Sequence, residues 1–270
     1  IELAGSQEKC PSMQASLPSH PIGVFDSGVG GLTVVRALMD RLPFENIIYF
    51  GDTARVPYGV KSVATIEHFT QQIADFLLQK QVKLLIIACN TMAAVAADKV
   101  RANSPVPVLD VIEAGAKQAA RVSESGGIGV IGTPATINSN AYARAIHEIN
   151  SSCRVYSQAC PLFVPLVEEG WLDHPVTRLT AQEYLKPVFV ESIDTLVLGC
   201  THYPLLKPLL LDVVGSRMKL VDSALAIAEQ TAELLQASGL ANPARHMPDY
   251  HYYVTDLPVK FQDRKSTRLN

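Results

Sequence analysis

Charge is scarce in this chain, and long apolar runs are missing. Only 18% of its 270 residues are Asp, Glu, Lys or Arg, with a formal net charge of -3 and a pI near 6.2. That balance argues against a nucleic-acid binder, which needs a basic face. No apolar run reaches the roughly 18 residues of a membrane span, which argues against a membrane partner. None of the five cysteines stands in a CxxC pair, and five is an odd number. A disulfide framework or a structural zinc site is therefore not expected, and a reducing cytoplasm is. The opening segment 1–21 is polar, without a basic stretch followed by an apolar core. It is read as a disordered extension rather than a secretory signal, with Met13 as a candidate start. Neither a fixed-period repeat nor a low-complexity tract is found, and no lysine motif for pyridoxal phosphate is evident.

What is there is 48% hydrophobic and organised. Short aliphatic runs alternate with helical patterns almost throughout, the signature of a parallel α/β sheet. Strands are expected at 22–25, 47–50, 84–88, 106–109, 128–131, 155–158, 195–199, 219–221 and 252–254. Helices are expected at 32–41, 62–80, 92–102, 113–122, 134–149, 178–189, 204–214 and 224–238. The helix at 62–80 carries Ser62 as its cap and Ile66, Phe69, Ile73, Phe76 and Leu77 as its apolar face.

Two cysteines occupy matching settings. Cys89 closes the run Leu84-Leu85-Ile86-Ile87-Ala88 and precedes Asn90-Thr91. Cys200 closes Thr195-Leu196-Val197-Leu198-Gly199 and precedes Thr201-His202. Each reads as a buried strand, a thiol at its carboxyl end, and small polar residues opening a helix. In parallel sheets that edge is where ligands bind. A helix amino terminus favours thiolate and is expected to lower the thiol pKa from its usual value of about 8.5. A free Cys is more often a small buried hydrophobe, and Cys10, Cys153 and Cys160 keep that reading. The parallel settings set Cys89 and Cys200 apart.

Asp26-Ser27-Gly28-Val29-Gly30-Gly31-Leu32-Thr33 forms a glycine-rich turn between the first strand and helix. Read from Gly28, GxGxxG fails at Thr33, and no P-loop is present, so a nucleotide site is disfavoured. Asp26 and Ser27 could hold a small zwitterion, with Asp26 on the ammonium; the plainer reading is a helix cap. Arg55-Val56-Pro57-Tyr58-Gly59 is a turn, either ligand-facing or ordinary surface. Thr133 before Pro134 marks another anion-ready helix start. His202, two residues from Cys200, is assigned positioning or proton chemistry over a plain loop role. Glu168-Glu169 reads, from its residues alone, as a solvated face.

Asp26-Ser27-Gly28-Val29-Gly30-Gly31-Leu32, Pro57-Tyr58-Gly59, Ala88-Cys89-Asn90-Thr91 and Leu198-Gly199-Cys200-Thr201-His202-Tyr203-Pro204 closely resemble the glutamate racemase family, in the cofactor-independent aspartate/glutamate racemase superfamily. The resemblance runs from about residue 22 to 261. It implies two pseudo-symmetric parallel-sheet α/β domains with the active site in the cleft between them: 22–113 plus 225–262, and 114–224. It further implies that Cys200 takes the α-proton from L-glutamate and Cys89 from D-glutamate, assisted by Asp26, Glu168 and His202. Asp26, Ser27, Tyr58, Gly59, Asn90, Thr91, Thr201 and His202 match substrate-binding positions, and Thr133 and Thr136 lie where the family contacts substrate. No cofactor is implied. L- and D-glutamate are the expected partners, a homodimer is common in the family, and some members need a UDP-linked peptidoglycan precursor as activator. Supply of D-glutamate for peptidoglycan follows. The tail 263–270 departs from the family pattern, and a truncated or chimeric end is expected there.

The chemistry is consistent with that resemblance. Inverting a stereocentre by proton exchange needs one group to remove a proton and another to deliver one to the opposite face. Three alternatives stand beside it: an aspartate racemase, against which His202 argues; a Cys–His hydrolase, for which Cys200 and His202 are poorly spaced; and a non-catalytic dicarboxylic amino acid binding protein. A redox disulfide between Cys89 and Cys200 would abolish activity rather than create it.

Overall fold

The computed structural model describes residues 16–256 except 191, 217 and 245. Cys10, Met13, Phe261 and the tail 263–270 lie outside the described residues. Among the described residues nine strands run in chain order: β1 (Ile22–Asp26), β2 (Ile47–Gly51), β3 (Leu84–Ile87), β4 (Val108–Asp110), β5 (Gly127–Gly132), β6 (Arg154–Ala159), β7 (Thr195–Gly199), β8 (Lys219–Asp222) and β9 (Tyr250–Val254). They form two sheets, β4-β3-β1-β2-β9 and β6-β5-β7-β8. Every pairing is parallel. The inner strands β1, β3, β5 and β7 are buried at every position, as their continuous apolar runs require when helices cover both faces.

Aligning the two orders matches β1 with β5, β2 with β6, β3 with β7 and β4 with β8, and β9 is the one addition, paired to β2. Each sheet reverses its winding between its first strand and the strand that ends before a cysteine: β1 beside β3, β5 beside β7. The crevice at such a reversal, outside the carboxyl ends, is where open α/β sheets bind ligands.

The helices are α1 (Leu32–Arg41), α2 (Val63–Gln79), α3 (Asn90–Asn103), α4 (Val111–Val122), α5 (Pro134–Asn138), α6 (Ala141–Ile149), α7 (Phe163–Glu168), α8 (Pro175–Val190), α9 (Lys207–Val214) and α10 (Ser223–Ala237). Ser62 caps α2 by accepting from the Thr65 N–H. The helix expected at 134–149 is two, because Asn140 adopts φ 56° and breaks it; Asn tolerates this left-handed region better than most residues. The helix expected from 204 opens instead as a tight three-residue-per-turn coil at Tyr203–Leu206, and α9 starts only at Lys207. α7 was not expected. The chain crosses between sheets along α4 and α10, each capped by the aspartate ending the preceding strand, Asp110 and Asp222.

Of the segment 1–21 expected to be disordered, the described part is tied down. Asn46 donates to the Ser19 carbonyl, and Lys83 Nζ reaches the Pro18 carbonyl at 2.5 Å. Lys83 is fully buried; its ammonium also meets Glu45 Oε2 at 2.5 Å and the Leu240 carbonyl at 2.8 Å. Glu45 Oε1 accepts the Asn242 N–H at 2.8 Å. Burial pushes the Lys83 pKa down, and Glu45 opposes that. The cluster pins the path from α10 back towards β9. Among the described residues no helix is long and apolar enough to cross a membrane.

Candidate active site

The carboxyl ends of β1, β3, β5 and β7 surround a cavity of about 420 Å³. Ser27, Tyr58, Gly59, Cys89, Asn90, Thr91, Thr133, Glu168, Cys200, Thr201 and His202 all line it. Asp26 and Thr136 do not: each is 1% exposed, just behind the wall. Residues from both sheets thus share one chamber, as expected.

Asp26 ends β1. Its Oδ2 accepts the N–H groups of Gly28 (3.1 Å) and Gly31 (2.9 Å), which fixes the turn. Its Oδ1 is buried without a partner among the described residues. Glycine at 30 is demanded by close approach across the cleft: a Cβ there would stand 2.2 Å from Thr201 Oγ1 and 2.9 Å from His202 Nδ1. The glycine-rich turn therefore serves as a seat for the opposite loop. Thr33 Oγ1 adds a 3.4 Å bond to the Thr201 carbonyl.

Cys89 is the N-cap residue of α3, 5% exposed. Its Sγ lies 3.3 Å from Ser27 Oγ. The expectation of a lowered pKa is corrected here. Burial first, then the Asp26 charge, push the Cys89 thiol up to about 12; bonds from Ser27 and from the Met92 N–H in the first turn of α3 only partly oppose them. Desolvation of the charged form outweighs the helix terminus.

Cys200 sits differently, because no regular α-helix begins directly after it. Its Sγ lies 3.9 Å from His202 Nδ1, and His202 Nε2 lies 3.3 Å from Glu168 Oε1. A carboxylate on one ring nitrogen holds the imidazole and leaves the other facing the thiol. Glu168, read by residue type as a solvated face, comes to the wall because α7 ends there; its side chain is 41% exposed.

Thr91, Thr133 and Thr136 form a hydroxyl chain across the cleft, with steps of 3.2 and 3.0 Å. Thr133 also caps α5. Tyr58 lines the cavity, but its hydroxyl donates to buried Asp52, which also accepts from Thr255 (2.9 Å) and meets Arg55 Nε at 2.6 Å. Burial and then that bond push the Tyr58 phenol well above its usual range. Sequence reasoning missed Asp52, Thr33 and Tyr142, all of which act through tertiary contacts with no motif of their own. It missed Val29, Pro161, Val164 and Pro165 as well, which supply apolar wall.

Two parallel α/β sheets, each carrying a thiol just past a matched inner strand, meet at one chamber, the architecture of the Asp/Glu/hydantoin racemase class. The family model described as Asp/Glu/Hydantoin racemase matches residues 30–231, and the chain belongs to that family. Within it the chain falls among the glutamate racemases. It is 71% identical over 243 residues to the glutamate racemase of Syntrophus aciditrophicus, covering 90% of each chain. The glutamate racemase of Francisella tularensis, solved in complex with D-glutamate, superposes with a TM-score of 0.88 at 47% identity, covering 94% of each chain. The Escherichia coli glutamate racemase, solved with L-glutamate and the activator UDP-MurNAc-Ala, gives 0.71 at 29% identity, covering 93% of this chain and 92% of that one.

Proposed function

We propose that the chain interconverts L- and D-glutamate by two-thiol proton transfer, with no cofactor. The observation that carries this is the pair Cys89 and Cys200, one from each sheet, on one cavity. From L-glutamate, a Cys200 thiolate removes the α-proton: the C–H bond breaks, an S–H bond forms, and its electrons remain on the α-carbon. The Cys89 thiol then gives its proton to the opposite face. D-glutamate runs the reverse, and solvent exchange resets the two sulfurs.

The surrounding groups suit the charges that develop. His202, held by Glu168, serves the Cys200 proton. Asp26 Oδ1 and Asn90 Nδ2, both buried and without a hydrogen-bond partner among the described residues, are an acceptor and a donor suited to an ammonium and a carboxylate. An ammonium on Asp26 would cancel one of the two causes that raise Cys89, easing its turn as base. Ser27, Tyr58, Gly59, Thr91, Thr133, Thr136 and Thr201 complete the binding set; positioned donors stabilise the carbanionic transition state.

We further propose the division into 22–113 plus 225–262 and 114–224, a homodimer, a cytoplasmic location and supply of D-glutamate for peptidoglycan. A UDP-linked precursor, as bound by the Escherichia coli relative, is proposed as a candidate activator. The two sheets support the division; the family supports the rest. Racemisation of L-glutamate followed by circular dichroism, with and without that precursor and with aspartate as competitor, tests the reading. Cys89→Ser and Cys200→Ser should each nearly abolish activity while glutamate still binds. Full activity in either variant would sink the two-thiol mechanism, and a purified protein that bound glutamate without racemising it would be a binding protein.

A further inference from the structure

Tyr142 belongs to neither cysteine loop, yet it touches both. It stands on α6 and is 2% exposed. Its hydroxyl donates to Asn90 Oδ1 at 2.7 Å, on the residue after Cys89. Its ring edge fills the space that a side chain at Gly199 would need, with Cε2 3.1 Å from that Cβ position, on the residue before Cys200. The phenolic oxygen lies 3.5 Å from the Val111 carbonyl, and Ser223 borders the same space beside Gly115. Val111 and Ser223 open α4 and α10, the two helices on which the chain passes between sheets. Gly115 leaves room for the hydroxyl: a Cβ there would lie 3.2 Å from it.

The consequence falls on Asn90. An amide offers an acceptor oxygen and two N–H donors. Tyr142 has one proton to give, and it goes to Asn90 Oδ1. Asn90 is 2% exposed, and its Nδ2 has no partner among the described residues although the residue lines the cavity. A buried amide with its oxygen engaged and its nitrogen free is set as a donor to whatever occupies the chamber.

We propose that Tyr142 is a positioning residue for substrate: through its bond to Oδ1 it holds the Asn90 amide with NH2 turned to a substrate carboxylate. Tyr142 and Asn90 then form one phenol–amide pair, in which the bond to Oδ1 polarises the amide N–H groups. This inference rests on the racemase reading of the site.

The test is a double-mutant cycle on racemisation of both enantiomers, using Tyr142→Phe, Asn90→Ala and the two together. The Phe variant keeps the ring against Gly199 and removes only the hydroxyl. Tyr142→Phe should raise KM for L- and D-glutamate roughly three- to tenfold, the range for one buried hydrogen bond, with a smaller change in kcat. In the Asn90→Ala background it should add nothing further. Multiplying effects, or a KM within twofold of wild type, would overturn the proposal. So would a variant with a lower thermal midpoint and lower kcat but unchanged KM, which marks a merely structural tyrosine. Should Tyr142→Phe fail to fold, Gly115→Ala takes its place: its Cβ, 3.2 Å from the Tyr142 hydroxyl, crowds the phenol away from Asn90, so a KM rise that vanishes beside Asn90→Ala supports the proposal, and an unchanged KM refutes it. A wild-type enzyme that racemised no glutamate would refute the functional reading itself and is recorded separately.

Discussion

Gly30→Ala should cripple the site while sparing the fold. The added Cβ would stand 2.2 Å from Thr201 Oγ1 and 2.9 Å from both Cε1 and Nδ1 of His202. Ordinary contact begins near 3.4 Å, so the seat must open by more than an ångström. His202 Nδ1 is already 3.9 Å from Cys200 Sγ, at the edge of sulfur hydrogen bonding, and any retreat takes it out of reach. Misplacing a catalytic group by about 1 Å can cost roughly 10²-fold in rate. We therefore expect kcat/KM to fall about 100-fold for both enantiomers, measured by circular dichroism. Overpacking of this kind destabilises by about 1–3 kcal/mol, so urea unfolding should still show a folded, cooperative protein. A variant with kcat/KM within threefold of wild type would mean the loop yields freely, and the reasoning from close approach would fail.

Two further substitutions probe charge. Lys83→Met strands the buried Glu45 carboxylate and should cost about 3–5 kcal/mol in urea unfolding; a loss below about 1 kcal/mol would contradict the pin. Asp26→Asn removes the second of the causes that raise the Cys89 thiol, leaving burial. Its pKa should drop from about 12, so that alkylation of Cys89 in a Cys200→Ser background sets in at lower pH; an unchanged or higher onset would refute the assignment.

Much of the fold was legible because parallel strands buried on both faces read as continuous apolar runs, as at Leu84–Ile87 and Thr195–Gly199. Ser62 was legible as a cap because its side-chain oxygen serves an N–H three residues on, a local event. The cysteine pair was legible because each thiol follows such a run. What stayed hidden was tertiary. Glu168 looks solvated until α7 turns its end to the cavity, and α7 itself is a six-residue helix holding Pro165. The upward push on Cys89 depends on how much protein surrounds it and on Asp26 arriving from another strand. Tyr142 carries no motif, since its meaning lies in reaching Asn90 from the other sheet. Gly30 stood in plain view in the glycine-rich turn, but the reason for it, Thr201 and His202 pressed against its Cα, belongs to the assembled cleft.

The central claim is that two separate thiols work on opposite faces of one α-carbon. The direct test is L-glutamate racemised in D₂O and stopped early, with both enantiomers separated and their α-positions read by proton NMR. The account predicts D-glutamate deuterated at the α-carbon and recovered L-glutamate still carrying its own proton, because the group that removes the proton is not the group that delivers one. Early D-glutamate that retained the substrate's proton would contradict it and require a single base serving both faces.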